Sequence, residues 1–281
     1  MIEGPHFVGD LQLTELLVTE KRCLTVAPLR EPSLGVLATL FDVGASHPAM
    51  IAVRPDWTAT QDLALHGTGQ PIVEGPIVVD SHLVRAGRKT VVVSCSVYDG
   101  AGAENLPALR AAIDGEHELS LAASGLITFA RITRSAAPGM EGYDPEAWVG
   151  QVRRVLRADP NTGSLSERLG LTVIDPRHGR LQLAKTSYVV NSIGTIQGGA
   201  QAVLLEAAAA IMRPGMVAVD MQVHYLSQLK VGPAQTSGRV LRDAGDHTVI
   251  TLKVEDAGNG DELLSRATIT LWASPLPGGP G

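Results

Sequence analysis

Glu206 is an acid in unpromising surroundings for one. It sits inside Ala202-Val-Leu-Leu-Glu-Ala-Ala-Ala-Ala210, a run apolar enough to form a buried helix. Burying a carboxylate costs free energy and pushes its pKa up. Asp42 keeps similar company in Gly35-Val-Leu-Ala-Thr-Leu-Phe-Asp42. An acid in a dry cleft suits the role of general base or nucleophile; the alternative is a carboxylate capped or paired at a helix contact. Just ahead of the second run lies Asn191-Ser-Ile-Gly-Thr-Ile-Gln197-Gly198-Gly199. Two glycines at a helix start let a ligand approach free backbone N–H groups, which the helix dipole makes good hosts for a developing negative charge.

The two acids correspond within an internal repeat. At an offset of 164 residues, Gly35 to Asp42 lies over Gly199 to Glu206, and Val53-Arg-Pro-Asp56 over Val217-Ala-Val-Asp220. After a loop that is longer in the first copy, Gly75-Pro76 matches Gly232-Pro233 at an offset of 157. Gly87 with Thr90 to Val97 then matches Gly245 with Thr248 to Glu255 at 158. Several segments matching in one order mark two copies of one unit.

Each copy opens with an extended segment, Leu24–Leu29 or Leu181–Thr186, and a loop then leads into an apolar helix. The helices span about Ser33 to Gly44 and about Gln197 to Met212. Strands follow, in the second copy about Met216–Ser227, Thr236–Arg242, His247–Glu255 and Glu262–Ala273. One helix followed by a run of antiparallel strands is α+β order. The alanines of the second helix leave it apolar nearly all round, so a sheet can wrap it closely. The expected organisation is a first unit over 1–137, a connection over 138–163 with a helix from Pro145 to Ala158, a second unit over 164–275 and a glycine- and proline-rich tail over 276–281.

Composition limits the function classes. The chain is 44% hydrophobic and 19% charged, with a formal charge of −6, which argues against a nucleic-acid partner. No apolar run in sequence approaches the roughly 20 residues of a membrane span, and the start lacks the features of a signal peptide. Cys23 and Cys95 stand far apart with no metal-ligand spacing around them, so buried reduced thiols and a cytoplasmic location are expected. A Gly-x-Ser-x-Gly elbow is absent, against an α/β-hydrolase esterase.

The run Asn191-x5-Gln197-Gly198-Gly199-x6-Glu206, with Val219-Asp-Met-Gln-Val-His-Tyr-Leu226 after it, resembles the hotdog-fold acyl-CoA thioesterases of the phenylacetate-pathway (PaaI) type. Those proteins carry Asn-x5-His-Gly-Gly-x6-Asp/Glu and a strand of the form Val-Asp-Met-x-Val-x-Tyr-Leu. The match covers roughly residues 165 to 273; the first copy keeps the helix acid Asp42 and the strand pattern. The whole chain thus resembles a double hotdog, two long helices wrapped by antiparallel sheet in an intrachain pseudo-dimer. Two departures stand out. Gln197 replaces the usual histidine and cannot carry a proton. In the first copy Ala27 takes the Asn position and Ser33-Leu34-Gly35 lies over Gln197-Gly198-Gly199.

Gly198 and Glu206 are eight residues apart on one helix, about 12 Å along its axis, too far to share one thioester carbon. The resemblance implies that each helix start works with the acid of the other half. The complete site would then be Asp42 with Asn191, Gln197, Gly198 and Gly199, and Glu206 would face Leu34 as a vestige or a weaker second site. The resemblance also implies thioester hydrolysis of an acyl-CoA, with coenzyme A as part of the substrate and no separate cofactor or metal, and possible pairing of two such chains into a homodimer. Two other functions stay open: a hotdog hydratase or dehydratase, and a non-catalytic acyl-CoA-binding module. His224 could point into the cleft, and Arg85, Arg88, Lys89, Arg239 and Arg242 could meet coenzyme A phosphates.

Overall fold

The computed structural model describes residues 6–28, 32–103, 106–116, 119–134, 142–154 and 165–273. A short helix α1 (Phe7–Asp10) and strands β1 (Thr14–Val18) and β2 (Arg22–Ala27) precede the long helix α2 (Leu34–Val53). Strands β3 (Trp57–Gly67), β4 (Ile77–Ala86), β5 (Thr90–Asp99) and β6 (Leu121–Ile132) follow, with a short helix α3 (Leu106–Ala111) between the last two. A two-residue strand β7 (Arg153–Arg154) and helix α4 (Leu165–Leu169) lead to β8 (Thr172–Asp175) and β9 (Arg180–Leu183). Helix α5 (Gly198–Met212) and strands β10 (Met216–Tyr225), β11 (Ala234–Asp243), β12 (His247–Asp256) and β13 (Glu262–Ala273) complete the described residues.

Among the described residues, thirteen strands join one antiparallel sheet in the order β7-β1-β2-β4-β5-β6-β3-β10-β13-β12-β11-β9-β8. The order from β3 outwards through β6, β5, β4, β2 and β1 mirrors that from β10 through β13, β12, β11, β9 and β8. The halves meet at the β3–β10 seam, where Asp220 pairs with His66 and His224 with Asp62. Each pair also bonds through its side chains: His66 Nδ1 lies 3.0 Å from Asp220 Oδ1, and His224 Nδ1 2.6 Å from Asp62 Oδ2. His224 alternates with buried Met221 and Val223 and is itself exposed, so it lies on the sheet face away from the helices, not in a cleft.

Both long helices pack against the sheet and against each other. Helix α2 is 20 residues long, outruns its expected end near Gly44, and runs through Pro48. Contrary to the expectation that no apolar run approaches a membrane span, its apolar stretch has a mean hydropathy of 1.5, enough in length and composition to cross a membrane, but 78% of that stretch is buried inside the fold. Glycine and proline discourage helix in isolation, but here tertiary packing prevails: a methyl on Gly44 would stand 2.9 Å from Thr25 Oγ1 on β2.

Helix length corrects the repeat alignment. Because α2 outruns α5 by five residues, Val53 to Asp56 is a helix end and turn, and does not match Val217 to Asp220. Matching bulges, after Thr60 in β3 and after Ala218 in β10, make Asp62 the counterpart of Asp220. A second correction concerns β5, whose inward residues Val91, Val93, Val97 and Asp99 match Thr248, Ile250, Val254 and Asp256 at an offset of 157. An offset of 158 would turn every side chain to the wrong face. Asp99 and Asp256 fill equivalent posts, accepting from the amides of Val73, Glu74 and Gly75 and of Lys230, Val231 and Gly232.

The expected connecting helix is also revised. Pro145–Trp148 is a single 3-10 turn that Asp144 caps, and β7 then pairs with β1; the rest of that stretch, 155–158, lies outside the described residues. Cys23 and Cys95 are buried thiols flanking Ser81 on neighbouring strands.

Candidate active site

Helices α2 and α5 cross antiparallel at two glycines. A Cβ on Gly35 would lie 2.9 Å from Val203 Cα, and one on Gly199 2.3 Å from Thr39 Cγ2. Only glycine permits this approach, and it brings each helix start to the acid of the other helix. The two crossings share a backbone plan and differ in their side chains.

At the first crossing Glu206 reaches across to the start of α2. Its Oε1 accepts from Leu34 N at 2.9 Å, and its Oε2 accepts from Gly35 N at 2.9 Å and from Ser33 Oγ at 2.6 Å. Ser33 is also the N-cap of α2, its Oγ accepting from Val36 N at 3.4 Å. Burial pushes the Glu206 pKa up, and the bonds from Ser33, Gly35 and Leu34 pull it part of the way back. The free amides of a helix start are an anion site, and here the protein's own carboxylate fills it.

At the second crossing the acid is Asp42, one methylene shorter. Its Oδ2 lies 3.1 Å from where a Gly198 Cβ would stand, so the carboxylate faces the start of α5 across the halves. Its Oδ1 accepts from Thr60 Oγ1 at 2.6 Å. Protein atoms surround Asp42 on nearly every side, yet it keeps some solvent contact. Burial raises its pKa from the ordinary 3.8 to about 6 against the pull of Thr60. Gln197, the N-cap of α5, makes no capping bond with its side chain.

The remaining predicted residues shape the approach to α5. Asn191 Oδ1 accepts from Ile193 N at 3.1 Å and Thr195 N at 3.2 Å, closing a side-chain turn that holds the loop. Gln197 N donates to Val189 O, and Thr195 Oγ1 accepts from Leu229 N, tying the loop to the body of the second half. The structure therefore brings Asp42 to Gly198, with Gly199 at the helix crossing, and places Asn191 in the loop behind them. Glu206 stands apart at the other crossing.

Sequence reasoning missed two neighbours of Asp42. Thr60 bonds it directly, and the Tyr225 ring lies 3.5 Å from the same Gly198 Cβ position, its hydroxyl donating to Gly198 O at 3.0 Å. Their counterparts beside Glu206, by the corrected seam register, are Ala218 and Gly67. Both hydroxyls thus occur at the Asp42 crossing alone. The signal was available in sequence only to an alignment with the right helix lengths.

A carboxylate poised near pH 6 beside a helix start without a side-chain cap can activate water, or attack directly, while the amides stabilise an oxyanion. Among the described residues, no three His, Cys, Asp or Glu side chains cluster closely enough to hold a metal ion.

No protein-family model matches the chain, and no curated protein matches it significantly in sequence. Solved structures match almost end to end. A tesB protein from Mycobacterium avium subsp. paratuberculosis superposes with a TM-score of 0.58 at 10% identity, over 96% of this chain and 98% of that one. A conserved protein of unknown function with a hot dog fold from Alicyclobacillus acidocaldarius gives 0.57 at 11% identity, over 96% and 98%. An acyl-CoA thioesterase II from Mycobacterium marinum gives 0.55 at 12% identity, over 98% and 99%. The chain has the hotdog fold, as its resemblance to hotdog-fold thioesterases implied.

Proposed function

We propose that this chain is a double hotdog, a pseudo-dimer within one polypeptide, and an acyl-CoA thioesterase whose working site is the Asp42 crossing. The observation that carries this reading is the 3.1 Å approach of Asp42 Oδ2 to the Gly198 Cβ position, across the two halves. Neighbours described as tesB protein and acyl-CoA thioesterase II support the reaction class.

In the reaction, the thioester carbonyl oxygen lies against the N–H groups of Gly198 and Gly199 at the positive end of α5. Glu206 on the matching amides Leu34 and Gly35 is an internal precedent for an anion held this way. Asp42 takes a proton from water as the water oxygen bonds to the carbonyl carbon. The tetrahedral oxyanion then collapses, the C–S bond breaks and the thiolate leaves with the proton returned through Asp42. Thr60 holds the carboxylate in place, Asn191 shapes the loop, and Gln197 helps fix the helix start without supplying a proton. Attack by Asp42 itself through an acyl anhydride uses the same geometry, and ¹⁸O labelling of the carboxylate in a single turnover separates the two routes.

Under this reading the partner is a small-molecule acyl-CoA in the cytoplasm, coenzyme A being part of the substrate. Thiol release from short, medium, long and aromatic acyl-CoAs tests it: turnover of at least one series is expected. Binding of all of them with release from none would point instead to a non-catalytic acyl-CoA-binding module.

A further inference from the structure

We infer that Tyr225 is a positioning residue for the oxyanion cradle, acting through the peptide bond between Gly198 and Gly199. The inference rests on the thioesterase reading for its kinetic consequence and on geometry for its physical one. Tyr225 Oη donates to Gly198 O at 3.0 Å. That carbonyl shares a rigid plane with the Gly199 N–H, so a bond to the oxygen fixes the direction of the amide. It also draws electron density toward the oxygen, making the N–H a stronger donor.

Tyr225 is placed for this by the sheet. It ends β10, opposite Ser265 on β13, and its ring passes 3.5 Å from the Gly198 Cβ position that Asp42 Oδ2 also approaches. The phenol is packed within the fold, and burial, then the charges of Asp42 and Asp62, push its pKa well above the usual value, so it remains a proton-bearing donor. At the other crossing, where Glu206 fills the cradle, the counterpart position is Gly67, which has no side chain to reach the first peptide of α2. The tyrosine bond thus belongs to the Asp42 crossing, while at the other the Ser33 hydroxyl bonds Glu206 directly.

The test is Tyr225→Phe, which keeps the ring and removes the bond. We expect kcat to fall about tenfold, the worth of one well-aligned hydrogen bond, with KM and the melting temperature near wild type. A coenzyme A thioether bearing a trifluoromethyl ketone, which forms a tetrahedral oxyanion, should lose affinity by a similar factor, while the thioether without a carbonyl should not. The ¹⁵N and ¹H shifts of the Gly199 amide should move, and those of Ala208 and Ala209 deeper in α5 should not. A melting-temperature loss with unchanged kcat, ketone affinity and Gly199 shifts would overturn the inference and leave Tyr225 as packing. Should the wild type hydrolyse no thioester, the thioesterase reading fails, and the Gly199 shifts still decide the role of Tyr225.

Discussion

Glu206 rests on the Gly35 amide at 2.9 Å, whereas Asp42, at the same post on the other helix, stops beside Gly198 with its Oδ2 3.1 Å from the Cβ position. One methylene separates an acid seated on the amides of a helix start from one that Thr60 holds beside it. Under the proposed reading Glu206 is structural and Asp42 functional, and the two can be told apart by stability and by rate.

Ser33 belongs to the filled site. Ser33→Ala removes the N-cap of α2 and the 2.6 Å bond to Glu206. Chemical denaturation should show a loss of about 1–2 kcal/mol, the usual worth of a cap, while acyl-CoA turnover stays within about twofold. A large loss of turnover with stability intact would place catalysis at the wrong crossing.

The Asp42 pKa near 6 fixes two pH dependences. A base must be ionised, so kcat/KM should fall about tenfold per pH unit below 6 and level off above it. Stability runs the opposite way. The folded state raises this pKa from 3.8, so it binds the proton more tightly than the unfolded chain, a contribution fully present below 3.8 and lost as pH rises through about 6. Asp42→Asn, which still accepts from Thr60, should therefore be more stable than wild type at pH 7.5. About 2 pKa units set an upper bound of about 3 kcal/mol, and the difference should vanish near pH 4. Denaturation at both pH values checks this.

The adjacent glycines should separate. A methyl on Gly198 meets Asp42 Oδ2 at 3.1 Å and the Tyr225 ring at 3.5 Å, intruding where the substrate carbonyl would lie. A methyl on Gly199 meets Thr39 at 2.3 Å and must push the helices apart. Gly198→Ala should lose at least about tenfold in turnover with a melting temperature near wild type. Gly199→Ala should lose stability as well, by about 1–3 kcal/mol from overpacking.

Asp42→Glu tests the length argument. The added methylene should carry the carboxylate onto the amides of Gly198 and Gly199, as Glu206 sits on Leu34 and Gly35. The variant should gain stability of about 1 kcal/mol from the new cap and lose turnover by at least about tenfold. Full activity in this variant would sink the account of why one crossing is filled.

The cross-half pairing of Asp42 with Gly198 was legible in sequence because helix rise keeps Gly198 and Glu206 from acting together and the hotdog resemblance implies that each helix start works with the acid of the other half. The filling of the cradle by Glu206 was legible only as a position facing Leu34, since the bonds depend on side-chain length. Tyr225 was legible as part of the resembling strand pattern but not as a neighbour of Asp42, and Thr60 was not legible at all. The expected end of α2 near Gly44 was too early, and the buried helix runs on through Pro48 to Val53 because packing outweighs propensity. That error carried the first strand six residues out of register, so Asp56 stood where Asp62 belongs and Thr60 had no counterpart to draw the eye. The one-residue error in β5 had a similar origin, the strand pattern being too uniform to fix its own face.

The most direct measurement is kcat for wild type, Asp42→Asn and Glu206→Gln on one acyl-CoA that the wild type turns over. The account predicts a loss of about 10²–10⁴-fold for Asp42→Asn, the range of a general base, and a rate within a few-fold of wild type for Glu206→Gln. A rate that survives Asp42→Asn and collapses with Glu206→Gln would contradict it.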